Sequence, residues 1–324
     1  MDKSAADAYV YAKVSSRIAK AFSGKNTEKL YTVKSLSDLY SLLFTGEVPA
    51  IPETLLSREI EKKAENQFLN EYISLLKCYS KPQELFVNLL QSYDFENLKT
   101  LAGALCLKET QMPPVLNLRQ YSILNYKGWP EISKITADSI LSWYNTVPDI
   151  SKQQELDSKL DFQYLTRLWD SAKKMPLNCR NECENIFASE IQFHNILWAL
   201  RLKCYYKMDK DEIVEKLFFD DASKGERDLL AGNAVKILDW DTSDYSQWKK
   251  WEYKSLLNPY VEGTLWEVDP RWIENCVHSI QLKKYSKAFH KFPLSSLSLV
   301  CYFKIKQNEL DNIRRVTEGL HLGE

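Results

Sequence analysis

The chain has 324 residues, with 43 Lys or Arg against 44 Asp or Glu, so its formal net charge is −1. This charge balance argues against a protein whose main function is to bind nucleic acid, because such binding depends on neutralising phosphates. Only 9 residues are glycine, which argues against glycine-rich phosphate loops and many tight hairpins. None of the seven cysteines forms a C-x-x-C pair, so we expect reduced thiols rather than disulfides or a zinc site.

The sequence predicts no membrane-spanning segment. Its first residues contain no apolar signal core. The longest apolar stretches, such as 101–107 and 297–303, are about seven residues long, whereas a spanning helix needs roughly 20.

In chain order, the predicted elements are long helices separated by prolines. Apolar residues recur at helical spacing over 58–77, 154–169 and 184–207. The eleven prolines fall between such segments, as expected of residues that helix interiors exclude. No segment alternates as a half-buried strand does, so the predicted fold class is all-α.

Two kinds of short segment recur three times along the chain. The first is centred on an acidic residue and the second, 36 to 38 residues later, on an asparagine. The acidic residues are Glu61, Asp157 and Glu274, and the asparagines are Asn97, Asn195 and Asn312. Such recurrence predicts three copies of one unit, each a long antiparallel helix pair with a shorter connecting helix.

The three copies predict three helical bundles. The first is residues 1–112 with an N-terminal helix, the second is 113–208, and the third is 209–324 with an insertion at about 221–270. The insertion has two open interpretations. Its tryptophans either form an exposed binding surface or pack beneath a long connection, and they are Trp240, Trp248, Trp251 and Trp266.

The recurring asparagines suggest a structural role, because asparagine in mid-helix is mildly unfavourable. Our hypothesis is that each side chain hydrogen-bonds a neighbouring helix or the acidic residue of its own copy.

No catalytic, cofactor-binding or metal-binding residue is predicted. Asp220 and Asp221 resemble the start of a magnesium-binding aspartate motif, but Lys224 stands where that motif needs a third aspartate. The alternative is a helix end, with Asp221 or Ser223 capping the next helix. The four histidines show no metal-ligand spacing, and no nucleotide-binding glycine motif is present.

Four stretches spread over the chain resemble one family. They are Tyr9–Arg17, Leu156–Tyr164, Asn195–Tyr206, and a closing helix with Tyr302, Lys306, Glu309, Asn312, Ile313 and Arg314. The resemblance is to the C subunit of archaeal and bacterial V-type (A-type) rotary ATPases, called subunit d in the eukaryotic V-ATPase. One departure is that Ala102, Gly103 and Ala104 stand near where the family often has arginine.

The resemblance implies three similar antiparallel bundles in a pseudo-three-fold, funnel-like arrangement. It also implies a non-catalytic rotor subunit of the central stalk in an ATPase or ATP synthase. Such a subunit couples a shaft of D and F subunits to the membrane c ring for proton or sodium transport. It would be peripheral to the cytoplasmic side of the membrane, with no cofactor and no nucleic acid. Two alternatives stay open: a helical-repeat adaptor of another complex, and an all-helical enzyme of the terpenoid-synthase kind.

Overall fold

The computed structural model describes residues 1–323, and this part of the chain contains no β-strand. The all-α prediction is therefore confirmed. The α-helices in chain order are α1 (Lys3–Lys20), α2 (Leu36–Leu43), α3 (Glu53–Leu76), α4 (Glu84–Cys106), α5 (Ile132–Thr136), α6 (Ile150–Lys173), α7 (Arg180–Cys204), α8 (Lys210–Val214), α9 (Gly232–Ile237), α10 (Tyr245–Trp248), α11 (Pro270–Lys291) and α12 (Leu297–Leu322).

Local sequence signals set the helix ends. Pro52 directly precedes α3, and Pro270 is the first residue of α11, where a missing N–H costs nothing. The Ser35 side chain accepts from the backbone N–H of Asp38 at 3.1 Å and so caps α2. Gly323 ends α12 in the left-handed conformation that glycine favours, with φ of 80°.

The chain divides into two compact units. One comprises Met1–Cys179 together with the chain from Ala288 onward, and the other is Arg180–Lys287. The first unit therefore contains both ends of the described chain.

In the first unit, α4 and α6 form an antiparallel pair. The Lys99 ammonium lies 2.5 Å from the Asp161 carboxylate, and the Arg167 guanidinium donates to Gln91 Oε1 at 3.1 Å. Residue numbers rise on one helix as they fall on the other, which fixes the direction. Apolar residues of α4 and α6 share a buried cluster with those of the segment between them, which includes Leu124, Ile135 and Tyr144.

A second antiparallel pair in this unit joins helices from opposite ends of the chain, α3 and α12. The Arg314 guanidinium lies 3.0 Å from the Glu65 carboxylate, and the Tyr302 hydroxyl donates to Glu71 at 2.7 Å. Between these polar contacts, the rings of Phe68 and Phe303 lie 5.2 Å apart. Helix α12 thus packs on residues more than 200 positions earlier.

Helix α1 is held in this unit through a buried carboxylate. Asp7 accepts hydrogen bonds from the Tyr79 hydroxyl at 2.8 Å and from Ser296 Oγ at 3.0 Å. Burial raises the pKa of Asp7, while its two hydroxyl donors lower it. The N-terminal helix is therefore fixed against both α12 and the end of α3.

In the second unit, α7 and α11 form a third antiparallel pair. The Arg201 guanidinium lies 2.7 Å from the Glu274 carboxylate, and the Tyr285 hydroxyl donates to Glu190 Oε1 at 2.7 Å. The long helices predicted around all three acidic residues are present.

The tryptophans of the 221–270 insertion pack inside the second unit. Trp248, Trp251 and Trp266 are buried, and Trp240 packs against the same cluster. The Trp248 ring is fully buried, and its Nε1–H donates to the Asp241 carbonyl at 2.7 Å. The packing interpretation of these residues is therefore correct, because aromatic rings supply the core where regular helix is short.

The division into three bundles at 112 and 208 stays a prediction. The buried cluster between α4 and α6 contains Phe95 from the first predicted copy and Leu160 from the second. Hydrophobic packing thus joins neighbouring copies.

Replacing Trp248 by alanine is expected to lower the free energy of unfolding by about 3–5 kcal/mol, because it leaves a cavity and frees the Asp241 carbonyl. Urea unfolding followed by circular dichroism measures the loss. The matched control is Trp272→Ala, whose ring is 43% exposed; equal losses for both variants would contradict the packing assignment.

Candidate functional site

Asn195 holds an irregular segment against α7. Its amide Nδ2 donates to the carbonyls of Phe218 at 2.8 Å and Leu230 at 2.9 Å, and its Oδ1 accepts from the Phe218 N–H at 2.9 Å. Asn195 itself is 1% exposed. One buried side chain thereby satisfies both backbone groups of Phe218, and we call such an arrangement an asparagine clamp.

Asn97 makes the same clamp on α4. Its Nδ2 donates to the Leu116 carbonyl at 2.8 Å and to the Tyr126 hydroxyl at 2.7 Å, and its Oδ1 accepts from the Leu116 N–H at 3.0 Å. The amide again pairs with both backbone groups of one residue, and this residue lies in the connection between α4 and α6.

Asn312 shares the task with Glu309 on α12. The Asn312 amide donates to the Phe22 carbonyl at 3.1 Å, and Glu309 Oε1 accepts from the Phe22 N–H at 2.7 Å. The clamped residue here belongs to the segment between α1 and α2. The last helix of the chain therefore holds a connection near its start.

A second polar residue, three positions before each asparagine, supports the clamp. Asp94 accepts from the Ile123 N–H at 2.7 Å, and Gln192 Nε2 donates to the Leu229 carbonyl at 2.6 Å. Glu309 is the third member. These three positions are not among the residues predicted from the sequence, although polar residues one turn before an asparagine on an otherwise apolar helix face are a recognisable signal.

We call the helices that carry Asn97, Asn195 and Asn312 (α4, α7 and α12) the asparagine helices, and those that carry Glu61, Asp157 and Glu274 (α3, α6 and α11) the acidic helices. Each recurring acidic residue lies near a cation on the asparagine helix of another predicted copy. Glu274 pairs with Arg201 on α7, and Glu61 lies 3.8 Å from Arg314 on α12. For Asp157, nearby Lys99 on α4 favours the charged form. The acidic helix of each predicted copy thus packs on the asparagine helix of the copy before it, α6 on α4 and α11 on α7. The acidic helix of the first copy, α3, packs on the asparagine helix of the last, α12.

Asp157 differs from the other two acids because part of its carboxylate lacks a partner. Its Oδ1 is buried and has no hydrogen-bond partner among residues 1–323. Burial raises the pKa of Asp157, against the lowering effect of Lys99. Gly103 stands at the place in α4 that Arg201 occupies in α7, six residues after the asparagine. The absence of arginine at this place in α4 thus coincides with an acid whose carboxylate is only partly hydrogen-bonded.

The six recurring positions are therefore brought together differently from our hypothesis. The asparagines bind connecting segments, and no hydrogen bond joins an asparagine to the acid of its own copy within the described chain. The functional importance of these positions stays a prediction.

Each antiparallel pair exposes large apolar residues where its asparagine helix ends and its acidic helix begins. At this end of the α4/α6 pair, Leu107 and Ile150 are each 70% exposed, and a Cys106 Sγ to Pro148 carbonyl contact of 2.9 Å joins the two chain segments. The corresponding end of the α3/α12 pair exposes Ile51, Leu55 and Leu322. The corresponding end of the α7/α11 pair, taken by itself, exposes Tyr205, Tyr206, Leu265 and Trp272. At opposite pair ends within residues 1–323, the exposed large apolar residues are Met1, Leu177 and Leu294.

The acidic pair of the sequence lies in a polar turn. Asp221 Oδ1 accepts from the Ser223 N–H at 3.1 Å and so caps the short 3₁₀ helix Ala222–Arg227, while Asp228 accepts from the Asp221 N–H at 2.8 Å. In residues 1–323, no group of three or more His, Cys, Asp or Glu is placed to hold a metal ion. Across the same residues, no helix combines the length and apolar character needed to cross a bilayer.

Comparison with known proteins covers nearly the whole chain. A family model described as ATP synthase (C/AC39) subunit matches residues 10–324. An uncharacterized protein of Treponema pallidum (strain Nichols) is 28% identical over 327 residues, which cover 100% of this chain and 95% of that protein. The family suggested by the resembling stretches is therefore confirmed.

Replacing Asn195 by alanine is expected to lower the free energy of unfolding by about 2–4 kcal/mol, because Phe218 and Leu230 lose buried partners. Denaturant unfolding measures the change. The control is Asn66→Ala, which loses one hydrogen bond to the Lys62 carbonyl in its own helix. A clamp that contributes no more than this local bond would contradict the assignment.

Replacing Asp157 by asparagine is expected to raise the free energy of unfolding at pH 7. The raised pKa of Asp157 means that its ionisation costs stability as the pH rises through the folded-state value. The gain should vanish below pH 3.8, the ordinary aspartate value, where both states are protonated.

Urea unfolding at several pH values tests this expectation. The matched control is Glu274→Gln, which breaks the ion pair with Arg201 and is expected to cost about 0.2–1 kcal/mol because that pair is partly exposed. A loss of stability in Asp157→Asn at pH 7 would contradict the unpaired-acid argument.

Proposed function

Because the chain belongs to the ATP synthase (C/AC39) subunit family, we propose that it is the non-catalytic central-stalk subunit of a V-type rotary ATPase. In this role it couples a D/F shaft to the membrane c ring during proton or sodium transport. It lies on the cytoplasmic side of the membrane, peripheral to it. The family match over residues 10–324 carries the proposal.

The asparagine clamps support a mechanical role. A part that transmits torque must not yield where its helices are joined. Here each clamp fixes the connection that precedes an acidic helix, and that helix then packs on the one carrying the clamp. Two hydrogen-bonded backbone groups and an antiparallel helix contact must all be disrupted before such a connection moves.

The exposed apolar pair ends support a large protein partner. Contiguous apolar surface exposed on a soluble face commonly marks an interaction site. Leu107 and Ile150 are both exposed at one end of the α4/α6 pair, where Cys106 Sγ contacts the Pro148 carbonyl, and aliphatic or aromatic residues recur at the equivalent end of each other pair, taken by itself. A partner built from identical subunits offers the same contact repeatedly, which a single shaft does not. We therefore assign the exposed ends of the two pairs in the first unit to the c ring.

A ring-binding experiment tests the proposal. The full-length chain with an affinity tag is incubated with detergent-solubilised membranes of its source organism, and bound proteins are identified by mass spectrometry. We expect the shaft subunits and the c subunit. The double variant Leu107→Asp and Ile150→Asp should reduce c-subunit recovery about tenfold, as expected when interface anchors are lost, while the shaft subunits stay bound.

The matched control is Leu177→Asp, because Leu177 is 83% exposed but lies after the last turn of α6, at the opposite end of the pair. Circular dichroism checks that all variants are folded. Recovery of neither shaft nor ring by the unchanged protein would overturn the rotor function in favour of an adaptor for another complex. Equal c-subunit loss in the control would overturn only the assignment of the pair end.

A further inference from the structure

A cavity of about 390 Å³ lies among α1, α2, α3 and α12 in the first unit. One part of its wall is apolar and buried, formed by Phe44, Ala64, Phe68, Leu310 and Ile313. Its volume is at the lower end of the range of roughly 300–1,000 Å³ typical of small-molecule sites.

The charged residues of the wall are three cations and two acids, and the acids already have partners. Glu309 Oε1 accepts from the Phe22 N–H at 2.7 Å, and its buried Oε2 has no hydrogen-bond partner among residues 1–323 but forms an ion pair with the Lys306 ammonium. Glu71 accepts from the Tyr302 hydroxyl at 2.7 Å. The remaining cations of the wall are Arg17 and the exposed Lys20.

Arg17 has bonding capacity that the protein does not use. Its Nε forms an ion pair with the Glu71 carboxylate at 3.8 Å, which is beyond ordinary hydrogen-bond distance, and the guanidinium also interacts with the Tyr302 hydroxyl. Its Nη1 is buried and has no hydrogen-bond partner among residues 1–323. Buried donors are normally paired, so an unpaired guanidinium nitrogen in the wall of a cavity calls for an acceptor.

We propose that this cavity binds a single-chain anionic amphiphile of the fatty-acid class. The carboxylate head accepts from Arg17 Nη1, with Lys20 adding positive charge, because guanidinium and carboxylate form strong charge-assisted hydrogen bonds. The hydrocarbon chain packs on the apolar wall between α3 and α12. The ligand thereby contacts α1 and α2 as well as the α3/α12 pair. This inference does not rest on the rotor function.

Isothermal titration of the purified full-length chain with decanoate tests the proposal. We expect saturable binding at one site, with decanol and acetate each binding at least about tenfold more weakly because each lacks one half of the recognised chemistry. Decanol that binds as tightly as decanoate would overturn the role of the anionic head. Acetate that binds as tightly would overturn the role of the chain.

Two variants localise the site. Arg17→Gln should weaken decanoate binding about tenfold or more, whereas Lys13→Gln should leave it unchanged. The Lys13→Gln substitution removes the same charge one turn earlier on α1. Lys13 lies outside the cavity wall and contacts the Tyr9 ring. Ala64→Leu should also abolish binding by filling the apolar part, and it serves independently if Arg17→Gln is poorly folded. No decanoate binding by the unchanged protein, or unchanged binding in both cavity variants, would overturn the proposal.

Discussion

The pairing of a buried side-chain amide with both backbone groups of a connecting residue is the interaction on which this fold depends. Irregular segments have no hydrogen-bonding ladder of their own, so burying them against a helix normally leaves backbone groups unpaired. Asparagine presents one acceptor and two donors on a short, stiff side chain. At Asn97 and Asn195 this suffices to pair with the N–H and the carbonyl of one residue. Irregular connections can therefore pack against these helices with their backbone groups paired.

The clamps also dictate which helices pack together. Each connection is held by the asparagine helix that precedes it, and the acidic helix that follows the connection pairs with that same helix. The first connection, which contains Phe22, is not preceded by an asparagine helix. It is held instead by α12 at the other end of the chain, through Glu309 and Asn312. The contact joins residues 287 to 290 positions apart. Because the entropy of closing a loop grows only slowly with its length, so distant a contact remains affordable.

The local part of this structure could be predicted from the sequence, and the part that joins copies could not. Helices and their ends are set by residues close together in the sequence, so apolar spacing and prolines indicated where the long helices lie. The asparagines were visible because they recur where helix propensity disfavours them. Their partners were not, because Leu116, Phe218 and Phe22 are ordinary apolar residues clamped through their backbones. Composition likewise could not decide whether the tryptophans of 221–270 are exposed, since burial depends on tertiary packing.

The three pairs differ in their ion pairs far more than in their clamps, and the energies explain why. A half-exposed ion pair contributes roughly 0–1 kcal/mol, whereas a buried backbone group left unpaired costs about 1–3 kcal/mol. Arg201 binds Glu274 directly, but at the equivalent place in α4 stands Gly103, and Lys99 binds Asp161 instead. The three pairs therefore differ where a difference has a small free-energy cost and share the amide where its loss has a large one. For a subunit proposed to carry torque, this means that stiffness resides in the clamped connections, and the ion pairs between helices can vary without loosening them.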